Sequence, residues 1–72
     1  MGVAYKTKTG LRQYKPTMEE LYACEDDSMG WCLHCGEATT PAEPDAVRYT
    51  CDCCELPKVY GTFELALRGL VA

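Results

Sequence analysis

The chain has 72 residues, six of them cysteine, with 47% apolar content and a formal net charge of −4. That length holds one domain, and so small a domain hides too little apolar surface to be stable on packing alone, so something must staple it. No stretch approaches the roughly 20 apolar residues that span a bilayer, so no membrane association is expected.

Residues 1–16 read as a basic arm. Lys6, Lys8, Arg12 and Lys15 fall there without a single acidic residue, whereas residues 17–72 carry three basic and eleven acidic side chains, a net −8. An acidic body argues against phosphate binding by the domain itself and leaves the arm as the candidate nucleic-acid contact. Two short runs, VAYKT and LRQYK, flank Lys8-Thr9-Gly10. Alternation about that turn signal predicts a hairpin, with a mobile arm as the competing expectation because isolated two-stranded hairpins are marginal.

PTMEELYACEDD carries the clearest helix signal. Thr17 is placed to accept from the first-turn N–H groups, Glu20 three residues later completes a capping box, and Glu19 and Glu20 suit the positive end of the helix dipole. Met18, Leu21, Tyr22 and Cys24 supply an apolar face, and Gly30 is the expected stop. GEATTPAEPDA is polar, and Pro41 and Pro44 oppose both a helix and a central strand, so a loop is expected. AVRYTC alternates Val47, Tyr49 and Cys51 against Arg48 and Thr50, which is strand periodicity, with KVYG as its return partner. Thr62 is the expected cap of a short helix in FELALRGL, with Leu65 and Leu67 toward the core and Gly69 near its end.

The cysteines carry the chemistry. Cys32-Leu33-His34-Cys35 and Cys51-Asp52-Cys53-Cys54 are two CxxC turns with fifteen residues between Cys35 and Cys51. That spacing is one that lets four sulfurs converge tetrahedrally on zinc. Gly36 permits the left-handed backbone that follows the second sulfur of a knuckle. The second turn offers Cys51 with either Cys54 or Cys53, and Cys54 is preferred because it repeats the first spacing. Glu55 stands where a glycine would relax that turn. Cys24 has no CxxC neighbour and reads as a small buried hydrophobe. A Cys24–Cys53 disulfide is permitted by parity, but MGVAYKTKTG has no apolar signal-peptide core, so reduced thiols in a cytoplasmic setting are expected. His34, squeezed against Cys35, reads as solvent-facing.

Paired knuckles also hold iron in rubredoxin-like sites, which keeps an iron or redox role as a third reading. Thioredoxin-like exchange needs a βαβ unit that this chain is too short to provide. Four protein ligands leave zinc no open position for water, and no serine nucleophile, paired catalytic carboxylates or phosphate-binding glycine loop stands out, so catalysis is not expected.

From Trp31 to about Leu67, the pattern WCLHCGE, EPDAVRYTCDCC and VYGTFEL resembles a group of small zinc-ribbon proteins of tailed bacteriophages and prophages, over about half of the chain. The resemblance implies metal ligands at Cys32, Cys35, Cys51 and Cys54. Its other landmarks fall at Glu43 to Ala46, Tyr49 and Val59 to Gly61, while Cys53 and Glu55 depart from the pattern. It implies a bacterial or phage-infected cytoplasm and no particular molecular activity. The expected fold is a small metal-stabilised α+β zinc ribbon over residues 17–72, with two CxxC knuckles, a short antiparallel sheet, an N-terminal helix and a short C-terminal helix. The expected function is a non-catalytic structural-zinc module that contacts another protein. The alternative is a nucleic-acid-binding ribbon that uses Lys6, Lys8, Arg12 and Lys15.

Overall fold

A computed structural model describes residues 2–72, so Met1, the first residue of the expected arm, lies outside the described residues. Strands β1 (Val3–Lys6) and β2 (Arg12–Lys15) form an antiparallel hairpin in which Val3 faces Lys15 and Lys6 faces Arg12. The turn closes where the Gly10 N–H donates to the Thr7 carbonyl at 2.9 Å. Further contacts tie the hairpin to the rest of the chain. The Tyr14 N–H donates to the Leu33 carbonyl at 2.8 Å, the Trp31 Nε1–H donates to the Tyr14 carbonyl at 2.9 Å, and Gln13 and Pro16 are buried. These contacts supply the third surface that a two-stranded ribbon needs.

Helix α1 (Met18–Asp27) begins at the expected capping box, with the Glu20 N–H donating to the Thr17 hydroxyl at 3.2 Å and the Thr17 N–H donating to the Glu20 carboxylate at 3.0 Å. It ends earlier than Gly30. Ser28 takes the left-handed conformation at φ 55° and caps the last turn with its N–H. Gly30 lies instead in β3 (Met29–Cys32), where a Cβ would meet the Val59 side chain at 2.5 Å. Of the four residues expected on the apolar face, Leu21 and Cys24 are buried while Met18 and Tyr22 are exposed. With so few neighbours in a small domain, the helix buries a narrow stripe rather than a broad face.

The second sheet has the order β4-β3-β5, with β4 (Glu37–Pro41) and β5 (Val59–Tyr60) both antiparallel to β3. The expected loop over GEATTPAEPDA therefore opens as a strand. Thr39 and Thr40 favour extended backbone, and Pro41 is tolerated because it ends an edge strand. The AVRYTC strand does not form: Arg48 sits at φ 55°, outside the β region, and leaves one isolated bridge between Tyr49 and Val59. β5 pairs mainly with β3, placing Trp31 opposite Tyr60 and Cys32 opposite Val59.

Helix α2 (Thr62–Leu67) has Gly61 rather than Thr62 at its N-cap, and no side chain caps it. The Pro44 carbonyl takes that role, accepting from the Phe63 and Glu64 N–H groups at 2.9 and 3.1 Å. Leu65 is fully buried, whereas Leu67 is 67% exposed. Residues two apart on a helix do not share a face, so the core can claim only one of them. The buried side chains form two clusters. One gathers Leu21, Cys24, Trp31, Leu33, Tyr60 and Leu65 between the helices and β3; the other gathers Ala42, Ala46 and Val59 around the sulfurs of Cys32 and Cys51. Among the described residues, no helix is long and apolar enough to cross a membrane.

Candidate metal centre

Each CxxC segment folds into the same local structure. In the first, the Gly36 N–H donates to the Cys32 carbonyl at 2.9 Å and the Cys35 N–H donates to the Cys32 sulfur at 3.4 Å. In the second, the Glu55 N–H donates to the Cys51 carbonyl at 2.9 Å, and the Cys53 and Cys54 N–H groups donate to the Cys51 sulfur at 3.3 and 3.4 Å. The residue after each knuckle is left-handed, Gly36 at φ 76° and Glu55 at φ 62°. The two turns are thus equivalent in backbone, although only the first has the residue that adopts this conformation freely.

β3 and the irregular segment that leads from the Tyr49–Val59 bridge to Cys51 bring the knuckles face to face. The sulfurs of Cys32, Cys35, Cys51 and Cys54 all lie within 4.8 Å of one another. The Cys32–Cys54 and Cys35–Cys51 separations are 3.7 and 3.8 Å. A tetrahedron with metal–sulfur bonds of about 2.3 Å has edges of about 3.8 Å. A disulfide needs about 2.05 Å, and all six cysteines are free thiols. The four sulfurs could therefore hold one metal ion with little rearrangement.

Cys32 and Cys51 are fully buried, while Cys35 and Cys54 are half-buried. Burial pushes the Cys32 thiol up to about 11 and raises Cys35 as well, with neighbouring thiols adding to the effect. Burial also opposes ionisation of Cys51, but hydrogen bonds from the Thr39 hydroxyl and the Cys54 and Cys53 N–H groups outweigh it and bring that thiol to about 6. One sulfur is thus prepared as a thiolate, and a bound metal ion would complete the set by displacing protons from the rest.

Cys53 is exposed at the tip of the second knuckle, outside the cluster, and His34 is exposed beside the first. Cys24 is 3% exposed in the other core cluster. Thr39 and Thr40 carried no local signal of a role at the cluster. The Thr39 hydroxyl lies 3.0 Å from the Cys51 sulfur, and the Thr40 hydroxyl accepts from the Asp52 N–H at 3.0 Å, so β4 braces the second knuckle. That role comes from β4 pairing, in a segment whose prolines suggested a loop. Hydrogen bonds to ligand sulfurs orient them and tune their basicity.

The architecture is that of a small α+β protein with antiparallel sheets and a four-cysteine cluster compatible with a zinc ribbon. Comparison with protein-family models, curated proteins and solved structures found no match.

Proposed function

We propose that this chain is a non-catalytic module held together by structural zinc, whose task is to bind another protein. The observation that carries the reading is the pair of sulfur–sulfur separations, 3.7 and 3.8 Å, across a site in which every position of a tetrahedron is taken by a cysteine. A closed thiolate set suits structural zinc and leaves no position for substrate or water. On the sequence resemblance to ribbons of tailed phages, the proposed setting is a bacterial or phage-infected cytoplasm, with the module as an accessory protein.

Placement of the basic side chains supports a protein partner over nucleic acid. The hairpin register puts Lys6 and Arg12 on one face and Lys15 on the other, where its ammonium lies 5.5 Å from the Tyr5 ring; Lys8 sits in the turn. Four cations spread in this way do not track a phosphate backbone, and the acidic body repels one.

Native mass spectrometry of the purified chain tests the metal. One zinc per chain is expected, lost in Cys54→Ser and kept in Cys53→Ser. A red protein with thiolate-to-iron absorption would transfer the site to iron, and loss of zinc in Cys53→Ser would overturn the ligand assignment. A sequence-dependent gel shift that survives about 200 mM salt would favour the nucleic-acid reading instead.

A further inference from the structure

The four sulfurs of the cluster fall into two unlike pairs. Cys32 and Cys51, the first cysteine of each knuckle, are fully buried. Both accept hydrogen bonds from the backbone: the Cys35 N–H donates to the Cys32 sulfur at 3.4 Å, and the Cys53 and Cys54 N–H groups donate to the Cys51 sulfur at 3.3 and 3.4 Å. A further donor reaches Cys51 through β4. The Thr40 hydroxyl accepts from the Asp52 N–H at 3.0 Å, which leaves its own proton for the Thr39 oxygen 3.3 Å away and the Thr39 proton for the Cys51 sulfur at 3.0 Å. Cys35 and Cys54, the second cysteine of each knuckle, are half-buried. Among the described residues no N–H or O–H group donates to either sulfur, and their close contacts are with the other thiols. Burial and hydrogen bonding thus divide the site in the same way.

A thiolate reacts according to its exposure and to the electron density left on sulfur, and donors that draw on that density weaken it as a nucleophile. Zinc would hold all four cysteines as thiolates, so the difference between them lies in access and hydrogen bonding. We propose that the Cys35–Cys54 edge is a modification site for soft electrophiles, through which the chain loses its zinc, while Cys32 and Cys51 are the protected anchors. The assignment rests on the structural-zinc reading and adds the means by which the module is switched off. In the step, a lone pair of the Cys35 or Cys54 sulfur attacks the electrophilic carbon. With a maleimide, a carbon–sulfur bond forms, the carbon–carbon π bond breaks, and water supplies a proton to the neighbouring carbon. The product is a neutral thioether in place of a thiolate, and three thiolates no longer close the tetrahedron. Cys53 is exposed but lies outside the cluster, so its modification leaves all four ligands in place.

Full-length Cys53→Ser protein, checked by native mass spectrometry for one zinc per chain, is treated with N-ethylmaleimide and quenched early with excess thiol. Zinc release is followed with a chromophoric chelator against a blank without reagent, and intact chains that carry a single label are fragmented to locate it. Release is expected to rise linearly with reagent concentration, with first labels on Cys35 and Cys54 outnumbering those on Cys32 and Cys51 by at least about tenfold. Wild type should in addition give a singly labelled chain that keeps its zinc and carries the label on Cys53. First labels on Cys32 or Cys51 would overturn the assignment. So would release at a rate indifferent to reagent concentration, with labels spread evenly over the cysteines and Cys24 among them, because the metal would then leave first and the unfolded chain react afterwards. Absence of zinc before the reagent is added would instead remove the metal reading, and this assignment with it.

Discussion

Glu55 pays locally for its position, because a non-glycine residue in the left-handed region is strained by about 1–2 kcal/mol, and its φ is 62°. Glycine there would relieve the strain but lose about 0.5–1 kcal/mol through the greater freedom of the unfolded chain. Glu55→Gly is therefore expected to stabilise the zinc-loaded protein by about 0.5–1 kcal/mol, read as a higher denaturation midpoint. Gly36→Ala in the equivalent knuckle should move the midpoint the other way. Glu20 presents the opposite case, a side chain whose surroundings favour its charge. Burial works against ionisation, but the amino terminus first, and after it the N–H groups of Thr17 and Gly2 and the Thr17 hydroxyl, lower the carboxyl to about 2. A depressed carboxyl contributes stability that is complete above its ordinary pKa and is lost as pH falls from about 4.5 toward about 2. Protons displace metal from thiolates over an overlapping range, so the measurement is the stability difference between wild type and Glu20→Gln, in which metal loss is common to both. That difference should be constant above about pH 5.5 and shrink below about 4.5. A difference that stayed flat to pH 3 would remove Glu20 from the acid response.

Among the elements, α2 depends most on something distant in sequence. Its first N–H groups bond to the Pro44 carbonyl, the Gly61 N–H donates to the Ala46 carbonyl at 3.0 Å, and a Cβ on Gly61 would collide with the Glu43 carbonyl oxygen. The Glu43 to Ala46 loop and the Val59 to Gly61 strand end are therefore one docked unit, and the loop serves as the helix cap. Gly61→Ala keeps an allowed backbone, since φ is −74°, but forces the two backbones apart. Overpacking of this kind costs about 1–3 kcal/mol. The variant should melt lower and lose α2 protection in hydrogen exchange while still binding one zinc. The same unit shows where sequence reading succeeds and fails. The capping box at Thr17 and Glu20 and the two CxxC turns were legible because their determinants lie within four residues. The cap on α2 and the pairing of β5 with β3 were not, because each is decided by a segment far along the chain, and the strand at Glu37–Pro41 was not, because its prolines and polar composition hide a hairpin with the preceding β3. Arg48, whose left-handed backbone breaks the alternating AVRYTC run, carries no local signal for that conformation.

At the scale of the whole molecule, the two core clusters make different demands on metal. The one between the helices and β3 is ordinary apolar packing, closed at its edge by the half-buried Leu70 and Val71 and by the Ala72 N–H donating to the Pro16 carbonyl at 2.8 Å. The other has two fully buried cysteines among its five members, so its interior is largely the four-cysteine cluster, the candidate metal site. Without metal, four thiols converge there, three elements lose their common anchor and nothing apolar replaces it. A core in a domain of this size supplies roughly 3–5 kcal/mol, whereas structural zinc in small cysteine sites contributes roughly 10–16 kcal/mol of apparent binding energy at neutral pH. Removal of zinc by a strong chelator under reducing conditions is therefore expected to unfold the chain cooperatively, with the Trp31 emission shifting to the red as its 2%-exposed ring meets water. Added zinc should restore the native spectrum. A metal-free chain that kept dispersed amide resonances for Val59 and Tyr60 would show that apolar packing alone suffices, and would remove the structural role assigned to zinc.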